Sequence, residues 1–173
     1  MTVNALHEAI IERLEEELNR MACFADKRIR GYSHDIPILD YREDEEDAVF
    51  PYFKVRTTDV DIKEEDSRTE TYILVGIRES DRSMAGYFVL FSVLETIAMS
   101  LRQNCIAGPF WCEREMKLVI EEDEDFSYPY FFGCLKTNWN IPEIAEEEVT
   151  EFANKGGWRK GRAYRRIQYG QGN

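Results

Sequence analysis

Histidine and paired cysteine, the commonest carriers of chemistry, are almost missing from this chain. Only two histidines, His7 and His34, and four cysteines, Cys23, Cys105, Cys112 and Cys134, occur in 173 residues. No two cysteines stand as CxxC and none as CxxH, so a zinc site is not expected, and the thiols read as reduced. There is no GxSxG nucleophile elbow, no P-loop and no GxGxxG, which removes the usual signatures of acyl transfer and of nucleotide-dependent chemistry. The expectation is a protein that is not an enzyme, with no catalytic residue, no metal and no cofactor. A run of about 18 or more apolar residues, as a membrane span needs, is also absent. Met1 to Arg20 is acidic and amphipathic, unlike the basic-then-apolar layout of a signal peptide. No membrane partner is expected, and the cytosol is the default location.

Acidic residues are plentiful but unevenly placed. The chain carries 34 acidic and 22 basic side chains, a formal net charge of −12. Every Asp and Glu lies at or before Glu151, whereas Lys155, Arg159, Lys160, Arg162, Arg165 and Arg166 follow it. Residues 1–154 therefore hold 16 basic against 34 acidic groups, a net −18, and residues 155–173 hold +6. An acidic body disfavours a grip on nucleic acid or on an anionic membrane. The tail mixes cations with Trp158, Tyr164 and glycine, a composition that suits docking on an acidic protein surface, contact with single-stranded nucleic acid, or a solvated terminus.

Hydropathy patterning divides residues 1–154 into a single domain. Val3, Leu6, Ile10, Leu14, Leu18 and Met21 recur at helical spacing, with Glu8, Glu12, Glu15 and Glu16 off the stripe; Thr2 or Asn4 would cap that helix. Residues 23–48 lack period, and Asp40 to Asp47 concentrates carboxylates that need solvent; Ile36 to Leu39 is a candidate extra strand. Strands are predicted over Val49–Arg56 and Thr71–Ile77, with Thr57–Glu70 between them as a long hairpin arm in which Val60 and Ile62 alternate with charge. Ser83 would cap a second helix running through Met84, Leu90, Leu94, Ile97 and Leu101, apolar over most of its circumference. Gly108-Pro109 breaks the chain before predicted strands Phe110–Ile120 and Tyr128–Trp139, and a short helix over Glu143–Phe152 is possible. The fold class is α+β: a mixed, mainly antiparallel four-stranded sheet of two hairpins, packed by two main helices in the order α-β-β-α-β-β.

One constellation imitates a catalytic site. Glu113, Glu115 and Lys117 share one face of a predicted strand at period two, and with Asp40 or Asp61 they would resemble the metal and water holders of a magnesium-dependent nuclease. Alternating charge is equally the mark of a half-solvated antiparallel strand, and that reading is preferred.

Four segments in order carry a family resemblance. They are Phe50-Pro51-Tyr52-Phe53-Lys54-Val55-Arg56 and then Tyr72-Ile73-Leu74-Val75-Gly76-Ile77-Arg78-Glu79. Gly86-Tyr87 with Leu94-Glu95-Thr96-Ile97 follows, and last Tyr128-Pro129-Tyr130-Phe131-Phe132-Gly133 runs into Thr137-Asn138-Trp139-Asn140-Ile141-Pro142. Over residues 3–144 the chain resembles the tail terminator proteins of long-tailed bacteriophages; the acidic loop 40–47 and the basic tail lie outside the likeness. The resemblance implies a non-enzymatic hexameric ring that caps the tail tube, stops its polymerisation and offers the joining surface for the head. It implies three partners: further copies of the chain, the tail tube protein, and the head-tail connector or head-completion protein. DNA would pass the ring without specific binding, and the protein would sit at the head-proximal end of the tail in the virion and in the host cytoplasm during assembly. Head-to-tail contacts of such a ring need two different patches. Candidates are the arm residues Val60, Ile62 and Lys63 and the tail residues Trp158, Arg159, Lys160, Arg162, Tyr164, Arg165 and Arg166. The alternative reading is a small acidic phage-encoded binding or inhibitor module, with a metal-dependent nuclease behind it.

Overall fold

A computed structural model describes residues 3–36, 49–62, 66–80, 85–120 and 128–142. The chain divides after Glu143, and every described residue lies before that division. The possible helix 143–152, the loop 40–47 and the tail 155–173 thus fall outside the described residues, as do Thr2 and Ser83.

Helix α1 spans Val3–Leu18, and its apolar stripe buries Leu6, Ile10, Leu14 and Leu18 completely. Asn4 lies inside the first turn rather than at the cap. Beyond the helix, the Asn19 side chain copies a strand partner: its Nδ2 donates to the Ile29 carbonyl and its Oδ1 accepts from the Ile29 amide, both at 3.0 Å. The Gly31 amide donates to Glu15 Oε1 at 2.6 Å. These bonds fasten strand β1, Arg30–Ser33, which pairs in parallel with β2. A strand thus lies at Arg30–Ser33, ahead of the candidate Ile36–Leu39, of which residues 37–39 are outside the described residues. Backbone pairing and α1 side chains hold β1, so it needs no apolar alternation of its own.

Strands β2, Tyr52–Asp61, and β3, Asp66–Arg78, form the long antiparallel hairpin that the alternation of Val60 and Ile62 suggested, with a bulge at Thr57/Asp59. It is not a bare arm. Strand β7, Tyr130–Pro142, pairs with β3 along its whole length, from Arg78↔Tyr130 to Asp66↔Pro142. Between them come helix α2, Ala85–Gln103, and the short strands β4, Ile106–Ala107, and β5, Phe110–Cys112. Gly108, with φ 57°, turns the β4–β5 hairpin, a conformation that favours glycine.

The single strand expected over Phe110–Ile120 is broken. Strand β5 meets β7 at Cys112↔Trp139, but β6, Lys117–Ile120, meets it at Lys117↔Lys136. Residues 113–116 thus face only Thr137 and Asn138, and the surplus loops out of register. The α+β class holds, but among the described residues the sheet has seven strands in place of four, ordered β1-β2-β3-β7-β5-β4 with β6 also beside β7. All pairs are antiparallel except β1–β2.

Both helices pack on one face of this sheet. Inward-facing Phe53, Val55, Ile73, Val75, Phe131, Leu135 and Trp139 meet Leu90, Val93, Leu94, Ile97 and Leu101 of α2 and the α1 stripe. A Cβ on Gly86 would lie 2.3 Å from the Phe131 ring, so only glycine lets α2 come this close to β7. By length and composition α2, with a mean hydropathy of 1.3, is apolar enough to cross a membrane. Its inner half belongs to this core.

Candidate interaction surfaces

A polar thread crosses the core beneath α1. His7 is buried; its Nδ1 lies 2.9 Å from Ser33 Oγ and its Nε2 2.9 Å from Thr57 Oγ1. Thr57 Oγ1 is 3.0 Å from Thr71 Oγ1, the Thr137 hydroxyl donates to the Thr71 carbonyl at 2.8 Å, and Trp139 Nε1 donates to Thr137 Oγ1 at 2.9 Å. Burial pushes the His7 pKa down to about 4, and the charge of His34, whose ring lies 4.4 Å away, adds to the shift. A threonine rather than a carboxylate holds the second nitrogen, so the His7–Ser33 pair lacks the acid that orients a nucleophile's base. In the sequence the buried role of His7 is marked only by its place on the apolar stripe, between Leu6 and Ile10.

The opposite face of the sheet has no helix over it among the described residues. Its side chains fall in rows across the strands. Tyr52, Gly76 and Phe132 form one row, and Lys54, Leu74, Cys134 and Val119 the next. Arg56, Tyr72, Lys136 and Lys117 form a third. Phe50 stacks into the first row, with ring centroids 5.1 Å from Tyr52 and 5.0 Å from Tyr130. The first two rows floor an apolar groove of about 630 Å³ lined by Tyr52, Leu74, Val119, Phe132 and Cys134, with Lys54 among its walls.

Cations gather around the groove, whereas Asp59 and Asp61, also exposed on this face, lie two or more rows further along β2. Lys54 pairs with Asp35 at 3.3 Å, Lys136 with Glu70 at 2.5 Å and Arg68 with Glu113 at 3.7 Å. Arg30, Arg56 and Lys117 are exposed beside them, at positions whose strand partners face outward. The Lys136 ammonium and then the Tyr72 hydroxyl, donating at 2.8 Å, hold the Glu70 carboxyl below its ordinary range; Glu70 in turn raises the Tyr72 phenol.

The outer surface of the helix layer is its complement. On α1, Glu8, Glu12 and Glu16 are exposed in one i,i+4 column, of which Glu16 pairs with Arg20. On α2, Phe88, Phe91 and Met99 are 73, 42 and 59 % exposed along one stripe, with Glu95 exposed among them. The helix that reads from sequence as covered on most of its circumference is bare over this stripe. Its polar seam lies toward α1 instead. There Arg13 donates to the carbonyls of Ser100 and Ile106 at 2.8 Å, and the Ser100 hydroxyl bonds Glu17.

Of the expected contact residues, Val60 is 37 % exposed near the end of β2 and Ile62 is 81 % exposed just beyond it. Lys63 and Trp158, Arg159, Lys160, Arg162, Tyr164, Arg165 and Arg166 lie outside the described residues. The period-two face of Glu113, Glu115 and Lys117 is split by the loop-out between β5 and β6, and Glu113 turns to Arg68. Among the described residues no cluster of three His, Cys, Asp or Glu side chains is placed to hold a metal ion. Cys112 is buried, its thiol pushed up to about 12 chiefly by burial, whereas Cys23 is exposed and Cys105 accepts from Trp111 Nε1 at 2.7 Å.

No family model matches the chain, and no curated protein matches it. One solved chain that bears no descriptive name aligns with 84 % of this chain and 99 % of its own length, at 11 % identity and a TM-score of 0.48. A likeness at that level carries no argument about function.

Proposed function

We propose that this protein is a tail terminator of the long-tailed bacteriophage kind. In this reading it is a non-enzymatic subunit that closes into a hexameric ring on the finished tail tube, halts polymerisation and presents the surface to which the head joins. The observation that carries the reading is the ordered set of segments from Phe50 to Pro142, which fall in chain order on and around β2, β3, α2 and β7. Apolar surface that the described residues leave uncovered on both layers supports it, since a monomer that worked alone would gain from covering or removing such surface. The partners are other copies of the chain, the tube protein and the connector or head-completion protein. DNA passes through the ring, whose net negative subunits repel phosphate. The place of work is the head-proximal end of the tail, reached from the host cytoplasm during assembly.

The test is to mix the protein with polymerising tube protein and measure tube lengths by electron microscopy. Tubes should stop growing and carry a ring at one end; tubes of unrestricted length overturn the reading. The acidity of residues 1–154, a net −18, favours a second reading as an acidic binding module. Native mass spectrometry of the protein with tube protein separates the two: a monomer that never enters a complex with the tube favours the module.

A further inference from the structure

The two layers of this fold expose surfaces that differ in kind and match each other. Outside the helices lie the carboxylates of Glu8 and Glu12 and the apolar stripe of Phe88, Phe91 and Met99. Outside the sheet lie the cations Arg30, Arg56 and Lys117 and the apolar groove floored by Leu74, Phe132 and Cys134. We infer that the helix layer of one copy docks on the bare sheet face of the next, with Phe88 and its stripe entering the groove and Glu8, Glu12 and Glu95 facing the cations. This inference rests on the ring reading above and supplies its subunit contact.

The occupant is argued from complementarity on two counts. An apolar stripe set beside a carboxylate column requires an apolar recess set beside cations, and the sheet face offers both within one surface. An isologous pairing of two helix layers would instead set Glu8, Glu12 and Glu95 against like charges, which is unfavourable. Two sheet faces joined groove to groove would oppose Arg30, Arg56 and Lys117 in the same way. Because the matching patches lie on opposite sides of one sheet, the contact is heterologous, and successive copies close into a ring or run on as a filament. The charged part of the contact makes it salt-sensitive, whereas the groove makes it persist at high salt. The arm residues Val60 and Ile62 are not needed for it and stay available to a different partner.

Cys134 on the groove floor permits a direct test on the full chain. In a Cys23→Ser/Cys105→Ser background, Phe88→Cys is introduced and the protein is treated with a mild oxidant. A head-to-tail contact yields covalent dimers, trimers and longer ladders that disappear when Cys134→Ala is added. Dimers alone, formed with or without Cys134, would assign the stripe to a symmetric pair and overturn the inference; so would the absence of any cross-link. Arg56→Glu/Lys117→Glu should lower the cross-linking yield at least tenfold at low salt and less at high salt, with the fold checked by circular dichroism. If a single-stranded oligonucleotide binds the sheet face and abolishes the ladder, the cations serve nucleic acid and the inference fails. Failure of the terminator reading shows separately: a chain that forms the Cys134-dependent ladder yet leaves tube length unlimited keeps the contact and loses the proposed function.

Discussion

Acidification from about pH 7.5 to about pH 5 is expected to remove about 2 kcal/mol of stability through His7 alone. The native pKa of this imidazole is pushed from 6.5 to about 4 because the ring is buried against Ser33, Thr57 and His34. A base whose folded pKa is depressed binds protons better in the unfolded chain. The penalty therefore begins as pH falls through 6.5, grows by about 1.4 kcal/mol per pH unit, and levels off below about 4 at about 3 kcal/mol. Above pH 6.5 both states hold the neutral ring and His7 adds no pH dependence. The window from pH 7.5 to 5 lies above the ordinary carboxylate range, so acid groups contribute little there. Urea unfolding at several pH values is the assay. With an m value of about 2 kcal/mol per molar, the midpoint should fall by about 1 M across the window. His7→Gln should be less stable at neutral pH, because it disturbs the thread to Thr57 and Thr71, but its midpoint should be nearly flat with pH. His34→Asn should keep most of the dependence, since burial is the larger cause of the shift. A wild-type midpoint that does not move, or a His7→Gln protein that loses stability as steeply as wild type, refutes the account.

Trp139→Ala should cost about 3–5 kcal/mol in chemical denaturation, because it empties a fully buried site and strands the Thr137 hydroxyl of a donor. Gly86→Ala should cost about 1–3 kcal/mol and lower the melting temperature, since the new methyl group meets the Phe131 ring and must push α2 off β7. An unchanged melt would show that the helix shifts freely. Glu70→Gln should lower the Tyr72 phenol toward its ordinary range, followed by NMR titration of labelled tyrosine. On this exposed face it should leave stability nearly unchanged.

Elements whose burial has a period are legible in the amino-acid pattern alone. The stripe from Leu6 to Leu18 specifies α1, and that from Leu90 to Leu101 specifies the inner face of α2. Alternation along Phe131, Leu135 and Trp139 specifies β7. These patterns are local, because neighbouring side chains must share one apolar side. Whatever depends on partners distant in the chain is set by folding. Strand β1 exists because Asn19, Glu15 and the edge of β2 satisfy its backbone, not because Arg30–Ser33 alternates. The break between β5 and β6 follows from registry with β7, which no window of Phe110–Ile120 contains. His7 became a buried titrating group only when β2 placed Thr57 against it. Composition likewise made α2 apolar on both sides, but the stacking of layers chose which side is covered. The sheet takes Leu90 and Leu94 and leaves Phe88 and Met99 in water. The same stacking sorted the charges, setting carboxylates outside α1 and cations beside the groove of the sheet, so that a net of −12 conceals two unlike patches.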